Sequence, residues 1–150
     1  MIPSGLLHNH VLIAALFAWG TAQTIKLPIE YFRSRQWRWT PLFTVGGMPS
    51  SHSALIVGAT NAAGLYYGYD SPVFALGVAI SMIVTYDAAG VRRQAGKHAE
   101  RINFLFDELL QGRIWDEDEL REVLGHTPLE VIGGILWGLL LTTLVWFFWK

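Results

Sequence analysis

The 150-residue sequence contains no cysteine. That absence excludes disulfides, thiolate metal sites and cysteine nucleophiles. Charge is scarce as well. Asp, Glu, Lys and Arg make up 15% of the chain, against 52% hydrophobic residues. A soluble domain carries about 25% charged residues, so this balance points to a membrane protein. The net charge of −1 removes the bulk positive charge on which nucleic-acid binders rely, and no nucleic acid is expected as a partner. No internal repeat and no low-complexity tract occurs. The first residues lack the basic start and small-residue cleavage site of a secretory signal. The length fits one domain.

What is present falls into apolar runs separated by polar loops. The runs predict four membrane spans, over about 6–27, 52–69, 72–90 and 129–149, with an extramembrane segment over 91–126. The fold class expected is therefore all-α, a polytopic helical bundle. Pro28 removes one helical hydrogen bond and predicts a kink at the end of the first span. The stretch after it, IEYFRSRQWRWTPLF, reads as interfacial, with arginines set among aromatics. The second span is rich in Ala and Gly, which lets neighbouring helices approach closely. Gly90 can cap the third span. Beyond it, HAERINFLFDELLQ has apolar residues at Ile102, Leu105, Phe106, Leu109 and Leu110, the stripe of an amphipathic helix. A shorter helix is expected from Asp116.

Basic residues gather in two loops, the one between the first two spans and the one between the last two. By the positive-inside rule both loops face the cytoplasm and both termini lie outside. The expected location is a bacterial inner membrane. Four polar clusters then share one membrane face.

The first cluster is GGMPSSHS, Gly46 to Ser53. It has glycines that let backbone come close to a ligand, adjacent hydroxyls at Ser50 and Ser51, and His52 at the mouth of a helix. Ser50 or Ser51 can cap that helix, and its N-terminus favours an anion. His52 suits a general acid near neutral pH. An ordinary loop-to-helix junction is the plainer reading. The second cluster is Lys26 and Arg33, two helical turns and about 10 Å apart. They can converge on a phosphate or serve as flanking charge. The third is Gly125-His126-Thr127-Pro128-Leu129-Glu130. Thr127, Pro128 and Glu130 make a capping box. Glu130 can alternatively hold one imidazole nitrogen of His126 and leave the other as a nucleophile. The fourth is Asp87 with Arg92 and Arg93, followed by Lys97 and His98. An ionisable group at the end of a span is paired or functional, and the arginines can turn toward an anion or toward Asp87.

These clusters, in this order, resemble the phosphatidic-acid phosphatase type 2 and vanadium haloperoxidase superfamily. The strings GGMPSSHSA, YDAAGVRRQAGKHAE and LGHTPLEVIGG are similar to those of its small divergent branch of bacterial and plastid membrane proteins, and the resemblance covers nearly the whole chain. The superfamily motifs are Lys-x6-Arg-Pro, Pro-Ser-Gly-His and Ser-Arg-x5-His-x3-Asp. Lys26 and Arg33 match the first, with Ser34 for the proline. Pro49, Ser50 and His52 match the second, with Ser51 for the glycine. His126 and Glu130 match the end of the third, with Glu for Asp. The Ser-Arg half is missing, so Arg121, Arg92 or Arg93 would complete the phosphate site.

The resemblance implies that His126 attacks phosphorus and that His52 protonates the leaving alcohol. Glu130 would orient His126, and the cations would stabilise the transferring group. It implies neither metal nor cofactor. Related phosphatases usually have six spans. The two that four spans lack would be replaced by the amphipathic pair or by a second copy of the chain, a homo-oligomer. The leading expectation is a lipid-phosphate phosphomonoesterase at the cytoplasmic face, its substrate a phosphatidylglycerol phosphate or phosphatidic acid. A non-enzymatic lipid-phosphate binder is the alternative, and vanadate haloperoxidase chemistry a distant third.

Overall fold

The computed structural model describes residues 5, 8–37, 39–42, 46–110 and 125–149, with only the backbone given at 41, 92, 93 and 106–110. Every extended element among them is helical: α1 (His10–Thr24), α2 (Lys26–Ser34), α3 (Ser51–Tyr67), α4 (Pro72–Ala89), α5 (Val91–Leu110) and α6 (Pro128–Phe148). A 3-10 turn at Thr40–Leu42 lies between α2 and α3. The chain is an all-α membrane bundle. Three stretches are long and apolar enough to cross a bilayer: His10–Ser34, Pro72–Leu105 and Pro128–Phe148. The second apolar run forms α3, whose 17 residues reach about 25 Å, at the short end for crossing a core of about 30 Å.

Helix α3 is the hub. It packs against α1, α4 and α6, and small residues set how close they come. Ala54, Gly58 and Ala62 recur every fourth position on α3, Gly134, Gly138 and Thr142 on α6, and Ala14, Ala18 and Ala22 on α1, and all nine are buried. Side chains this small bring backbones together, the favoured helix contact where lipid removes the hydrophobic drive. At Gly138 a Cβ would lie 2.7 Å from the Ala54 carbonyl oxygen, so only glycine fits. Midway along, Asn61 donates to Thr142 Oγ1 (3.0 Å) and Thr143 Oγ1 (3.1 Å), and its carbonyl accepts from Tyr69 (3.2 Å). That network fixes the register of α3 on α6.

The contacts also fix direction. Ser53 meets Gly134 near one end of the α3–α6 pair, and Tyr66 donates to the Trp149 carbonyl at the other, so α3 and α6 run parallel. Ala18 touches Gly58, while His10 stacks on Tyr66, so α1 is antiparallel to both. Thr60 meets Gly77 and Tyr69 meets Phe74, so α4 is antiparallel as well. Lys26, Ser51, Gly90 and Pro128 therefore share one end of the bundle.

The structure sharpens the local expectations. The break associated with Pro28 falls at Ile25, one residue before α2. Pro28 is then the third residue of α2, where a missing N–H costs little, and the stretch read as interfacial is helical to Ser34. The amphipathic helix begins at Val91, straight after Gly90, rather than near His98. Gly90 does cap α4, with φ −106°, and its N–H donates to Tyr86. A Cβ there would sit 2.9 Å from the Tyr86 carbonyl oxygen. The short helix expected from Asp116 lies outside the described residues.

Candidate phosphate site

Two helix N-termini meet at the shared end. Ser50 caps α3, its hydroxyl accepting from the Ser53 N–H (3.3 Å) and the Ser53 hydroxyl (3.0 Å). Thr127 caps α6, accepting from the Glu130 N–H (3.3 Å). The caps are joined directly, since the Ser50 N–H donates to the Glu130 carbonyl (2.9 Å). The loop 46–50 then lies on α6. A Cβ at Gly133 would touch Met48, and one at Gly134 would collide with the Ser50 carbonyl oxygen. These two glycines seat one motif on the other, a role readable in the sequence only as an unexplained Gly-Gly pair one turn after Glu130.

The seating brings the histidines together. His52 sits in the first turn of α3 and His126 just outside the cap of α6. Their ring centroids are 6.0 Å apart, with the planes at 62°. His126 is 3% exposed and His52 is exposed. Glu130 makes both contacts expected of it, and with one atom. Oε2 accepts from the Thr127 N–H at 3.0 Å and lies 3.2 Å from His126 Nδ1. The capping-box contact and the contact to the imidazole share a single carboxylate oxygen. With Nδ1–H directed at the carboxylate, the imidazole lone pair resides on Nε2.

Lys26 enters the same cluster from α2. It is 3% exposed, its Nζ donates to the Gly46 carbonyl at 3.0 Å, and Glu130 acts on it through charge. Gly46 (φ 119°) and Gly47 (φ 83°) adopt backbone conformations that L side chains rarely enter. Their turn is what points that carbonyl at the lysine. Gln23 steadies the preceding segment by donating to the Leu42 carbonyl (2.8 Å). The Gly46 carbonyl was absent from the sequence reading, because backbone partners leave no residue-type signal.

The remaining candidates are placed less centrally. Arg33 is on the same unbroken helix as Lys26, about 10 Å along, but is exposed. Ser50 is 0% exposed, and its hydroxyl accepts from the Ser53 N–H as the cap of α3. Ser51 is buried beside it, as the first residue of α3. Asp87 is half-buried in the last turn of α4, at the same end of the bundle, and is partnered there. Arg92 and Arg93 lie in the first turn of α5, their side chains outside the description, and Arg121 lies outside the described residues. Among the described residues no group of three or more His, Asp or Glu is arranged to hold a metal.

Comparison with known proteins gives the family. Residues 7–141 match the Divergent PAP2 family. The chain belongs to that family. It is also 38% identical to the "Uncharacterized membrane protein YuiD" of Bacillus subtilis (strain 168), over 95% of this chain and 98% of that one. No solved structure matches. The match to the Divergent PAP2 family includes all three motif regions, from Lys26 to Glu130. The helix N-termini carrying the second and third are the ones the bundle brings together.

Proposed function

We propose that this Divergent PAP2 protein is a membrane lipid-phosphate phosphatase that works through a phosphohistidine. The observation that carries the proposal is the pair His52 and His126 at 6.0 Å, with Glu130 on Nδ1 of the second. Nε2 of His126 attacks phosphorus. The bond from phosphorus to the lipid oxygen breaks, and protonated His52 gives its proton to the departing alkoxide. His52, now neutral, takes a proton from water as that water attacks the phosphohistidine. The P–N bond breaks, and inorganic phosphate leaves with His126 and His52 restored. Glu130 supports the positive charge that His126 acquires on attack. Lys26 and the first N–H groups of α3 and α6 face the phosphoryl oxygens where charge builds.

The substrate class follows from placement. The site lies at the end of an apolar bundle, so the phosphate is presented at a membrane surface on a lipid alcohol. Loop charge favours the cytoplasmic face and lipids of the phosphatidylglycerol phosphate or phosphatidic acid kind. Arg33 bears on the alternative, a lipid-phosphate binder without turnover, because its exposure leaves Lys26 as the central cation among the described residues. Phosphate release from a panel of lipid phosphates, by wild type and by His126→Ala, separates the two. The proposal expects release that the substitution abolishes. Release unchanged in His126→Ala, or none from any lipid alongside retained vanadate binding, would overturn it.

A further inference from the structure

A cleft runs down the side of the bundle away from the histidines. It forms because α4 leans on α3 and stands off from α6. Gly77 allows the lean, since a Cβ there would lie 2.8 Å from the Thr60 hydroxyl oxygen. Thr60 and Ser81 then meet at 2.9 Å. The space left between α3, α4 and α6 is about 400 Å³, walled by Val57, Val78, Met82, Ile135 and Leu139. Phe74 and Tyr69, in edge-to-face contact at 5.0 Å, stand at its far end. Its polar groups are engaged within the protein. Thr60 donates to the Ile56 carbonyl (2.8 Å), Thr85 to the Ser81 carbonyl (2.7 Å) and Tyr69 to Asn61. What the cleft offers a ligand is hydrocarbon.

The geometry points to one alkyl chain of a membrane lipid as the occupant. Length and cross-section both bear on this. From Phe74 to Thr85 the cleft follows eleven residues of α4, about 16 Å, close to the hydrocarbon depth of one leaflet, about 15 Å. A volume of 400 Å³ over about 16 Å leaves a cross-section of roughly 25 Å². An α-helix with its side chains is about 10–12 Å across, about twice the width of such a channel, so a helix of a second copy does not fit. The upper end at Thr85 lies one turn below the end of α4, at the end of the bundle that carries His52 and His126. A lipid whose phosphate reaches the histidines would send a chain downward into the cleft. The inference deepens the proposed function and depends on it only for the head group.

Photolabelling tests the groove without requiring turnover. The probe is a phosphatidic acid with a diazirine midway along one acyl chain, mixed with the purified protein in detergent–lipid micelles. Adducts are mapped by mass spectrometry. We expect them on Val78, Met82 and Leu139. Val78→Trp and Ile135→Trp, which fill the cleft from two different helices, should each cut labelling at least tenfold. Leu76→Trp, on an exposed face of α4 outside the cleft, should leave it unchanged. Adducts spread as strongly over Leu76 and Ile83 as over the cleft would overturn the inference. So would labelling undiminished in both filled variants. If labelling follows the expected map while no lipid phosphate is hydrolysed, the groove stands and the phosphatase reading falls.

Discussion

Replacing Gly134 by alanine is the sharpest test of how the two motifs are held together. Alanine in a helix interior is favoured over glycine by about 1 kcal/mol. At Gly134 the added methyl collides with the Ser50 carbonyl oxygen, and it would lie 2.9 Å from Ser53 Cβ and 3.1 Å from the Ser50 carbonyl carbon. None of these is the flexible end of a side chain, and Ser50 and Ser53 are both 0% exposed. Overpacking of this kind costs about 1–3 kcal/mol. Moving α3 away also stretches the hydrogen bond from Ser50 to the Glu130 carbonyl, worth about 1 kcal/mol. After the propensity gain, Gly134→Ala should destabilise by about 1–3 kcal/mol. The same shift separates His52 from His126, and a displacement of about 1 Å costs roughly a hundredfold in rate. Gly20→Ala is the matched control, since a Cβ there meets nothing within 4 Å, and it should be neutral or stabilising. Thermal unfolding in detergent reads stability, and phosphate release reads geometry. Gly134→Ala as stable and as active as wild type would refute the reasoning. Equal losses in both alanine variants would refute it too.

Glu130→Gln keeps an oxygen for the Thr127 N–H but no longer fixes the His126 tautomer by charge. Phosphate release should fall at least a hundredfold, while the unfolding free energy changes by about 1 kcal/mol or less. Parallel losses would mean that the carboxylate serves only the cap. Asn61→Leu removes the donor to Thr142 and Thr143 and the acceptor for Tyr69. It should cost about 1–2 kcal/mol of stability and spare activity, because Asn61 lies about 15 Å down α3 from Ser51. Since the chain has no cysteine, Met48→Cys provides a single label at an exposed position. A membrane-impermeant thiol reagent applied to intact cells should fail to reach it, and labelling from outside would overturn the cytoplasmic assignment.

Much of the fold could be read from composition and spacing, because in lipid the helix is the cheapest way to satisfy the backbone. The apolar runs became α3, α4 and α6, and Thr127, Pro128 and Glu130 formed the capping box that their spacing predicts. Pro28 marked the break, which falls at Ile25 because the carbonyl left without a partner by its missing N–H is that of Thr24, four residues back. At the site, residue type pointed to His52, His126, Glu130 and Lys26. The Gly46 carbonyl and the seats at Gly133 and Gly134 went unread, because backbone groups and missing side chains look the same at every glycine. The equal standing first given to Lys26 and Arg33 also rested on spacing. Spacing places both on one helix face but cannot tell which end of that face the bundle buries.

Because α3 and α6 run parallel, their positive ends lie side by side. Each helix brings roughly half a positive charge to its N-terminus, so the peptide groups alone supply about one unit at the place where the caps meet. This charge does not titrate, and no single side-chain substitution removes it. The missing Ser-Arg half of the third motif thus leaves the site with a cationic character that belongs to the architecture. Two like poles held together also repel each other, and an anion placed between them relieves that repulsion. An anion held there should therefore tighten the bundle, through the contact between Ser50 and Glu130 that joins the two caps.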